Sequence, residues 1–188
     1  MQTVALCDAN VLYPSTLRDL LLRLAVEQVI RIRTTEQILD EAFDNLLANR
    51  PDLDAARLQR TRSLMIKSVP DLLVSNYEEW IEHLDLPDPD DRHVLAAAIA
   101  VGADVIVTNN LKDFPANVLA PYGIVAQEPD EFLSELHEVA ADEMASVTQD
   151  MAAAWRSSDT TIEHVLDSLA RQVPQTAERI RSTLSAGN

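Results

Sequence analysis

The chain has 188 residues, of which 47% are hydrophobic, and it carries a formal net charge of −16 at pH 7. This length suits one domain with an appended segment, or two small domains, and the apolar content is sufficient for a hydrophobic core. The acidic balance excludes a generally basic nucleic-acid-binding protein. Any nucleic acid would therefore have to bind at a local site or with the help of a metal ion.

Cysteine use and apolar runs indicate the compartment. The single cysteine, Cys7, leaves no disulfide within the chain, and it reads as a small buried residue. Neither a signal peptide nor a membrane-spanning apolar run is visible in the sequence. We therefore expect a cytoplasmic protein without a membrane partner.

A short apolar run near the N-terminus predicts the first strand. Residues Val4–Cys7 are apolar, and the run ends abruptly at Asp8. Asp8 is then expected at the carboxyl end of a buried strand, the edge at which open α/β sheets bind ligands. A carboxylate in that position needs a polar partner.

The chain then alternates between helical and strand patterns. Residues 30–34 suggest a short edge strand, residues 69–76 a strand or extended link, and residues 104–108 and 123–126 two further strands. Helices are predicted over residues 15–29 (capped by Ser15 or Thr16), 36–48 (capped by Thr35), 53–67, 77–84, a nearly all-apolar stretch from Asp90 to Gly102, and one turn over 116–120. Strands separated by helices favour an α/β fold with a parallel sheet.

The predicted secondary structure changes after residue 128. No further strand is predicted, and helices are expected over residues 130–154, 160–172 and 174–185. We therefore divide the chain into an α/β domain, residues 1–128, and a C-terminal helical extension, residues 129–188. Val165, Leu166 and Leu169 would form an exposed stripe if the extension stood free. One hypothesis is that residues beyond about 142 serve assembly or partner binding and not catalysis.

Several carboxylates should meet at the carboxyl edge of the sheet. These carboxylates would repel one another strongly unless a cation were present. Hard divalent cations such as Mg²⁺ take oxygen ligands, and they activate water and stabilise charge on a phosphate. Taken singly, most of these acids also fit a helix cap or a solvated surface. The candidates are Asp8, Glu41, Asp90, Asp91 and Asp113.

Four segments together resemble the motifs of the PIN-domain ribonucleases, and the nearest group is the VapC-type toxins of bacterial toxin–antitoxin pairs. These segments are residues 8–13, 38–41, 90–98 and 107–114, and the resemblance covers roughly residues 3–135. It implies a three-layer α/β/α sandwich with a central parallel sheet and cleavage of RNA that depends on Mg²⁺ or Mn²⁺. It further implies a homodimer and a cognate antitoxin that blocks the site.

The resemblance also assigns individual residues. Asp8 matches the first acid of the family, Glu41 the second and Asp91 the third, with Asp90 as an alternative to Asp91. Thr108 matches a threonine that supports the metal site. Asn110 stands where many members have a further acid.

We therefore expect three sets of functional residues. The metal ligands are Asp8 and Asp91. The catalytic residues are Asp8, Glu41, Asp91 and Asp113, and the substrate-binding residues are Asn10, Thr108, Asn110 and Arg92.

Other interpretations remain open. One is a non-catalytic PIN-fold module that binds a protein through its acidic edge. Another is a phosphohydrolase of small molecules, although such enzymes often need a second aspartate where this chain has Asn10. The basic helix that carries Arg57 and Lys67 is either an RNA contact or a solvated face.

Overall fold

Four short parallel strands form the centre of the fold in a computed structural model that describes residues 2–155 and 161–186. The strands lie in the order β2–β1–β3–β4. Val107 is paired with Cys7, so β1 and β3 end level with one another and Asp8 lies beside Thr108. The strand bounds are β1 Val4–Cys7, β2 Arg31–Arg33, β3 Val105–Val107 and β4 Val125–Gln127.

The central strands are covered on both faces. Successive residues of a strand point to opposite faces, and yet Ala5, Leu6 and Cys7 are all at most 1% exposed. Continuous apolar runs of this kind are typical of parallel strands between two helical layers. The predicted three-layer α/β/α sandwich is therefore confirmed, and β2 is an edge strand as expected.

The helices of residues 9–119 follow the sequence patterns with local differences. A four-residue helix, α1, begins immediately after Asp8, where no helix was predicted. Thr35 caps α3 as expected, since its hydroxyl accepts from Ile38 N at 3.0 Å, but α2 begins after Pro14 without a side-chain cap. The bounds are α1 Ala9–Leu12, α2 Ser15–Val26, α3 Glu36–Asn49, α4 Ala55–Ser68, α5 Glu78–Ile81, α6 Arg92–Val101 and α7 Ala116–Leu119.

Residues 69–76 were expected as a strand or link. In the described part of the chain they make only an isolated bridge, between Thr34 and Leu73, beyond the edge of the sheet. The pairing is extended by Thr34 N and Val74 N, which donate to Leu72 O and Thr34 O at 2.9 and 2.8 Å. The link therefore partly covers the end of β2.

Helix α6 is buried as the sequence predicted. Every residue from His93 to Ala98 is buried, and Gly102 ends the helix with a φ of +61°, a left-handed conformation that suits glycine. A single 3₁₀ turn, Pro89–Asp91, precedes the helix and sets the direction in which Asp90 and Asp91 leave the backbone.

The extension forms four helices within the residues that the structure describes, and not the predicted three. The expected helix over 130–154 is interrupted at Ala140, whose φ of −141° is not helical. The predicted start of the next helix at Thr160 lies outside the described residues. The bounds are α8 Pro129–Val139, α9 Ala141–Ala154, α10 Ile162–Ala170 and α11 Pro174–Ala186.

These helices pack on the first part of the chain. Helices α9 and α10 both contact α2, and the hydroxyls of Thr16 and Ser168 lie 2.8 Å apart across that contact. Val165, Leu166 and Leu169 are all 0% exposed, so the extension does not stand free and this stripe is covered. The apolar stripe closes the core between α2 and the other helices of the extension. No helix of residues 2–155 and 161–186 has the length and hydropathy needed to span a membrane.

The packing predicts different costs for the same substitution at two valines of the extension. Val165 is 0% exposed and Val139 is 83% exposed. Val165→Ala should lower the free energy of unfolding by about 2 kcal/mol, since it removes two buried methyl groups and leaves a cavity. Val139→Ala should change it by less than about 0.5 kcal/mol. Urea denaturation measures both, and equal midpoints would contradict the packed arrangement.

Candidate active site

Asp8 is buried at the carboxyl end of β1. Its carboxylate is 5% exposed and accepts three hydrogen bonds, from Ala9 N at 2.6 Å, from the Asn10 amide at 2.5 Å and from the Thr108 hydroxyl at 2.7 Å. Burial raises the pKa of Asp8 above its ordinary value, and the charge of Glu41 acts in the same direction. The hydrogen bonds from Thr108 and Ala9 N oppose this shift without cancelling it. The site therefore holds a carboxylate whose ionised form is only partly stabilised by the protein.

A polar network fixes Asp8 between two strand ends. The Asn10 amide nitrogen also donates to the Thr108 hydroxyl at 3.2 Å, and its oxygen accepts from Asn109 N at 3.0 Å. Thr108 in turn accepts from Asn110 N at 3.0 Å. Asn10 and Thr108 were predicted as substrate-binding residues, and in the structure both contact Asp8. They would affect a substrate mainly through the position of that carboxylate.

A cavity of about 560 Å³ opens over Asp8 at this edge of the sheet. The end of β1 and the starts of α1 and α6 supply its acidic floor, and α3 supplies one wall. Six of the predicted functional residues or their alternatives line it, together with residues that the sequence did not single out. The lining residues are Asp8, Ala9, Asn10, Tyr13, Glu41, Ala42, Asn45, Asn49, Asp90, Asp91, His93 and Asn110.

Asp91 experiences the charge of its neighbours. Partial burial, followed by the charges of Asp8, Asp88 and Asp113, raises the pKa of Asp91 to about 6. The carboxylates of the site therefore lie close enough to oppose each other's ionisation, as the sequence predicted.

Glu41 is held by a buried histidine. His93 Nε2 lies 3.1 Å from Glu41 Oε1, and His93 is only 4% exposed. Although burial works to raise it, the pKa of Glu41 is lowered, because hydrogen bonds from His93 and Gln37 stabilise the carboxylate. His93 was not among the residues predicted from the sequence. The sign it offered was its place on a helix that is apolar nearly all round.

Three predicted residues do not line the cavity. Arg92 forms an ion pair with Asp85, with 3.6 Å between Arg92 Nη2 and Asp85 Oδ1. Thr108 is 0% exposed and lies beneath Asp8. Asp113 does not line the cavity, but it is near enough for its charge to act on Asp91. Of the residues missed, Asn45 and Asn49 follow Glu41 at intervals of four, which is the spacing of one helix face. Nothing in the sequence singled out Tyr13.

The carboxylates suit a weakly chelated hard cation. Within residues 2–155 and 161–186, no three His, Cys, Asp or Glu side chains are grouped so as to enclose a metal ion. Mg²⁺ typically keeps several waters and uses one or two carboxylates, so a closed cage is not required. Two carboxylates with raised pKa values, Asp8 and Asp91, share a cavity whose other lining groups include several amide oxygens. These oxygen donors fit Mg²⁺ or Mn²⁺ better than a softer metal.

Comparison with known proteins identifies the family. Residues 4–112 match the family model described as PIN domain, and this match covers more than half of the chain. The chain belongs to the PIN-domain family. Residues 129–182 match a second model, described as the VapC50 C-terminal domain.

One curated relative aligns with part of this PIN-domain chain. It is described as "Putative ribonuclease VapC50" of Mycobacterium tuberculosis and is 42% identical over 98 residues. The alignment covers 52% of this chain and 58% of the relative. No solved structure matches the chain significantly.

The repulsion around Asp91 predicts a pH dependence of stability without metal. The pKa of Asp91 is raised from 3.8 to about 6 on folding, so the folded state is favoured when Asp91 is neutral. The folded state has this advantage in full below about pH 4 and loses it as the pH rises through 6. In EDTA at pH 7, Asp91→Asn should therefore raise the free energy of unfolding by about 1 kcal/mol, after allowance for solvent screening of a partly exposed group.

The difference between parent and Asp91→Asn should shrink towards pH 4. Urea denaturation at several pH values measures it, and Asp90→Asn is the control because Asp90 is the adjacent, exposed aspartate. A difference that does not depend on pH would show that Asp91 is not subject to this repulsion. A larger effect at Asp90 would make Asp90 the third acid of the site.

Proposed function

We propose that this PIN-domain protein is a metal-dependent endoribonuclease and the toxin of a type II toxin–antitoxin pair. The observation that carries the proposal is the meeting of Asp8, Glu41 and Asp91 at one cavity, at the carboxyl edge of a parallel sheet. The match to the PIN domain model and the description of the mycobacterial relative as a putative ribonuclease support it. On this proposal the substrate is RNA and the bond cleaved is a phosphodiester.

The proposed roles follow from the surroundings of each carboxylate. Asp8 and Asp91 would hold Mg²⁺ or Mn²⁺, and the ion would supply an activated water and positive charge against the phosphate. Glu41, kept ionised by His93, accepts a hydrogen bond from the attacking water and orients it. Asp113 adds negative charge behind Asp91. Asn10 and Thr108 fix the Asp8 carboxylate, while Asn110 lines the cavity.

Partners and compartment are part of the same proposal. A toxin of this type would act on RNA in the cytoplasm, as a homodimer, and would be blocked by a cognate antitoxin. We further propose that residues 1–128 are the nuclease domain and that residues 129–188 form a helical extension. This division places the boundary between β4, which ends at Gln127, and α8, which begins at Pro129.

Asp8→Asn tests the catalytic proposal. The amide keeps the size of the side chain but removes the charge, so cleavage of RNA in Mg²⁺ or Mn²⁺ should fall by roughly a hundred-fold or more. The matched control is Asp44→Asn, on the exposed side of α3, which should cleave at the parental rate. Circular dichroism would check that both variants are folded. Parental cleavage by Asp8→Asn would refute the site, and a parent unable to cleave RNA would favour a binding module.

Metal binding should be visible without any substrate. A ligand that binds only the folded state stabilises it, by about 1.4 kcal/mol at ten times its Kd. For a chain of this length, millimolar Mn²⁺ should then raise Tm by roughly 3–5 °C. The rise should be much smaller in Asp8→Asn and Asp91→Asn and unchanged in Asp44→Asn. A Tm that is insensitive to Mn²⁺ in the parent would count against the shared carboxylate site.

A further inference from the structure

One wall of the cavity carries, beyond Glu41, two polar side chains that the proposed chemistry does not use. Glu41, Asn45 and Asn49 all line the cavity from α3, at intervals of four residues. Side chains at this spacing lie along one face of a helix, and eight residues correspond to about 12 Å of helix length. Asn45 and Asn49 are both exposed, so a bound molecule could reach them. The row leads away from the carboxylates.

Tyr13 lines the same cavity from the end of α1, and its backbone is firmly held. Its nitrogen donates to Ala9 O at 3.0 Å. Arg18 Nη1 donates to the carbonyls of Leu12 and Tyr13, at 2.6 and 3.1 Å. Arg18 is itself only 6% exposed and lies over the ring of Phe43, at 5.3 Å from its centroid. Since Phe43 belongs to α3, one buried guanidinium ties the end of α1 to that helix.

The cavity offers little positive charge to a phosphate backbone. Among the described residues, neither lysine nor arginine lines it. Arg50, directly after α3, makes two hydrogen bonds to Asp52, at 2.8 and 2.7 Å, so its guanidinium is already paired with a carboxylate outside the cavity. Arg62 of the basic helix α4 is similarly engaged by Glu36 and Asp40. Recognition at this wall therefore has to depend on neutral groups.

The neutral groups that are present match nucleobases. An asparagine amide supplies a donor and an acceptor, which suit the polar edge of a base. An aromatic ring supplies a stacking surface, and proteins recognise unpaired RNA bases by combining the two. Duplex RNA does not present its bases in this way.

We propose that Tyr13, Asn45 and Asn49 form a nucleobase subsite for single-stranded RNA, beside the carboxylates that cut the strand. A base next to the scissile phosphate stacks on Tyr13, and its edge is read by the two amides. The subsite rests on the proposed ribonuclease function and adds to it the source of base preference. Because no lysine or arginine lines the cavity, RNA binding there depends only weakly on salt.

A double-mutant cycle, with one change in the protein and one in the RNA, tests the subsite. The cleaved bond in a single-stranded oligoribonucleotide is first mapped with the parent protein in Mn²⁺. Oligonucleotides with one abasic position on either side of that bond are then compared for kcat/KM. Tyr13→Leu removes the ring, Tyr13→Phe keeps it, and Asn117→Ala, at an exposed asparagine of α7, is the control. Thermal melting checks that each variant is folded.

The subsite predicts coupling between Tyr13 and one base. Tyr13→Leu should lower kcat/KM on intact RNA roughly ten-fold to a hundred-fold, the range found for base stacking, while Tyr13→Phe and Asn117→Ala stay near the parent. At one abasic position Tyr13→Leu should cause little further loss, because the stacking partner is already absent. Asn45→Ala and Asn49→Ala should reduce discrimination between bases at that position.

Several results would overturn the subsite. Parental activity of Tyr13→Leu on intact RNA would do so, as would independent losses from Tyr13→Leu and from every abasic position. So would an affinity that falls steeply with salt, which points to a cationic surface such as α4. If the parent cuts no RNA, the ribonuclease proposal fails, and fluorescence anisotropy with the labelled oligonucleotide in Ca²⁺ decides the subsite alone. Weaker binding by Tyr13→Leu supports it, and unchanged or absent binding overturns it.

Discussion

The buried carboxylate of Asp8 is the constraint on which the site depends. A charge at 5% exposure is costly unless it is hydrogen-bonded, and here its partners come from two neighbouring strand ends. The parallel register brings Thr108 beside Asp8, and the immediate start of α1 supplies Ala9 N. Loss of either feature would remove one of the three hydrogen bonds that the carboxylate accepts. The topology of the sheet and the chemistry of the site are therefore fixed by the same few contacts.

The parts of the fold that could be predicted from the sequence are those with a strong local pattern. Continuous apolar runs gave β1 and β3, an all-apolar helix with Gly102 after it gave α6, and Thr35 marked the start of α3. The pairing of His93 with Glu41 could not be predicted in this way. It joins two helices far apart in the chain, and only their packing brings the side chains within 3.1 Å. Tyr13 was missed because α1, which places it beside Asp8 at the cavity, was not predicted.

The extension shows what an apolar stripe does not specify. The positions of Val165, Leu166 and Leu169 correctly indicated a buried face, but the sequence did not say which surface would cover it. In the structure the covering surface is α2, which contacts α9 and α10 as well as the sheet. The break at Ala140 allows α8 and α9 to take different directions. Neither residue type nor periodicity predicts that break, because alanine is a residue that favours helix.

A protein with a net charge of −16 has to overcome its own repulsion to bind RNA. On the proposed function, the positive charge comes from the divalent ion held by Asp8 and Asp91, and the remaining contacts are neutral. The carboxylates would then repel RNA when the metal is absent, and the bound ion would offset that repulsion and contact the phosphate. Binding and cleavage would therefore depend on one event, and the protein needs no basic surface. Such a surface would hold RNA without cutting it, whereas on this proposal an acidic cavity lined by amides and Tyr13 would admit RNA only where it can be cleaved.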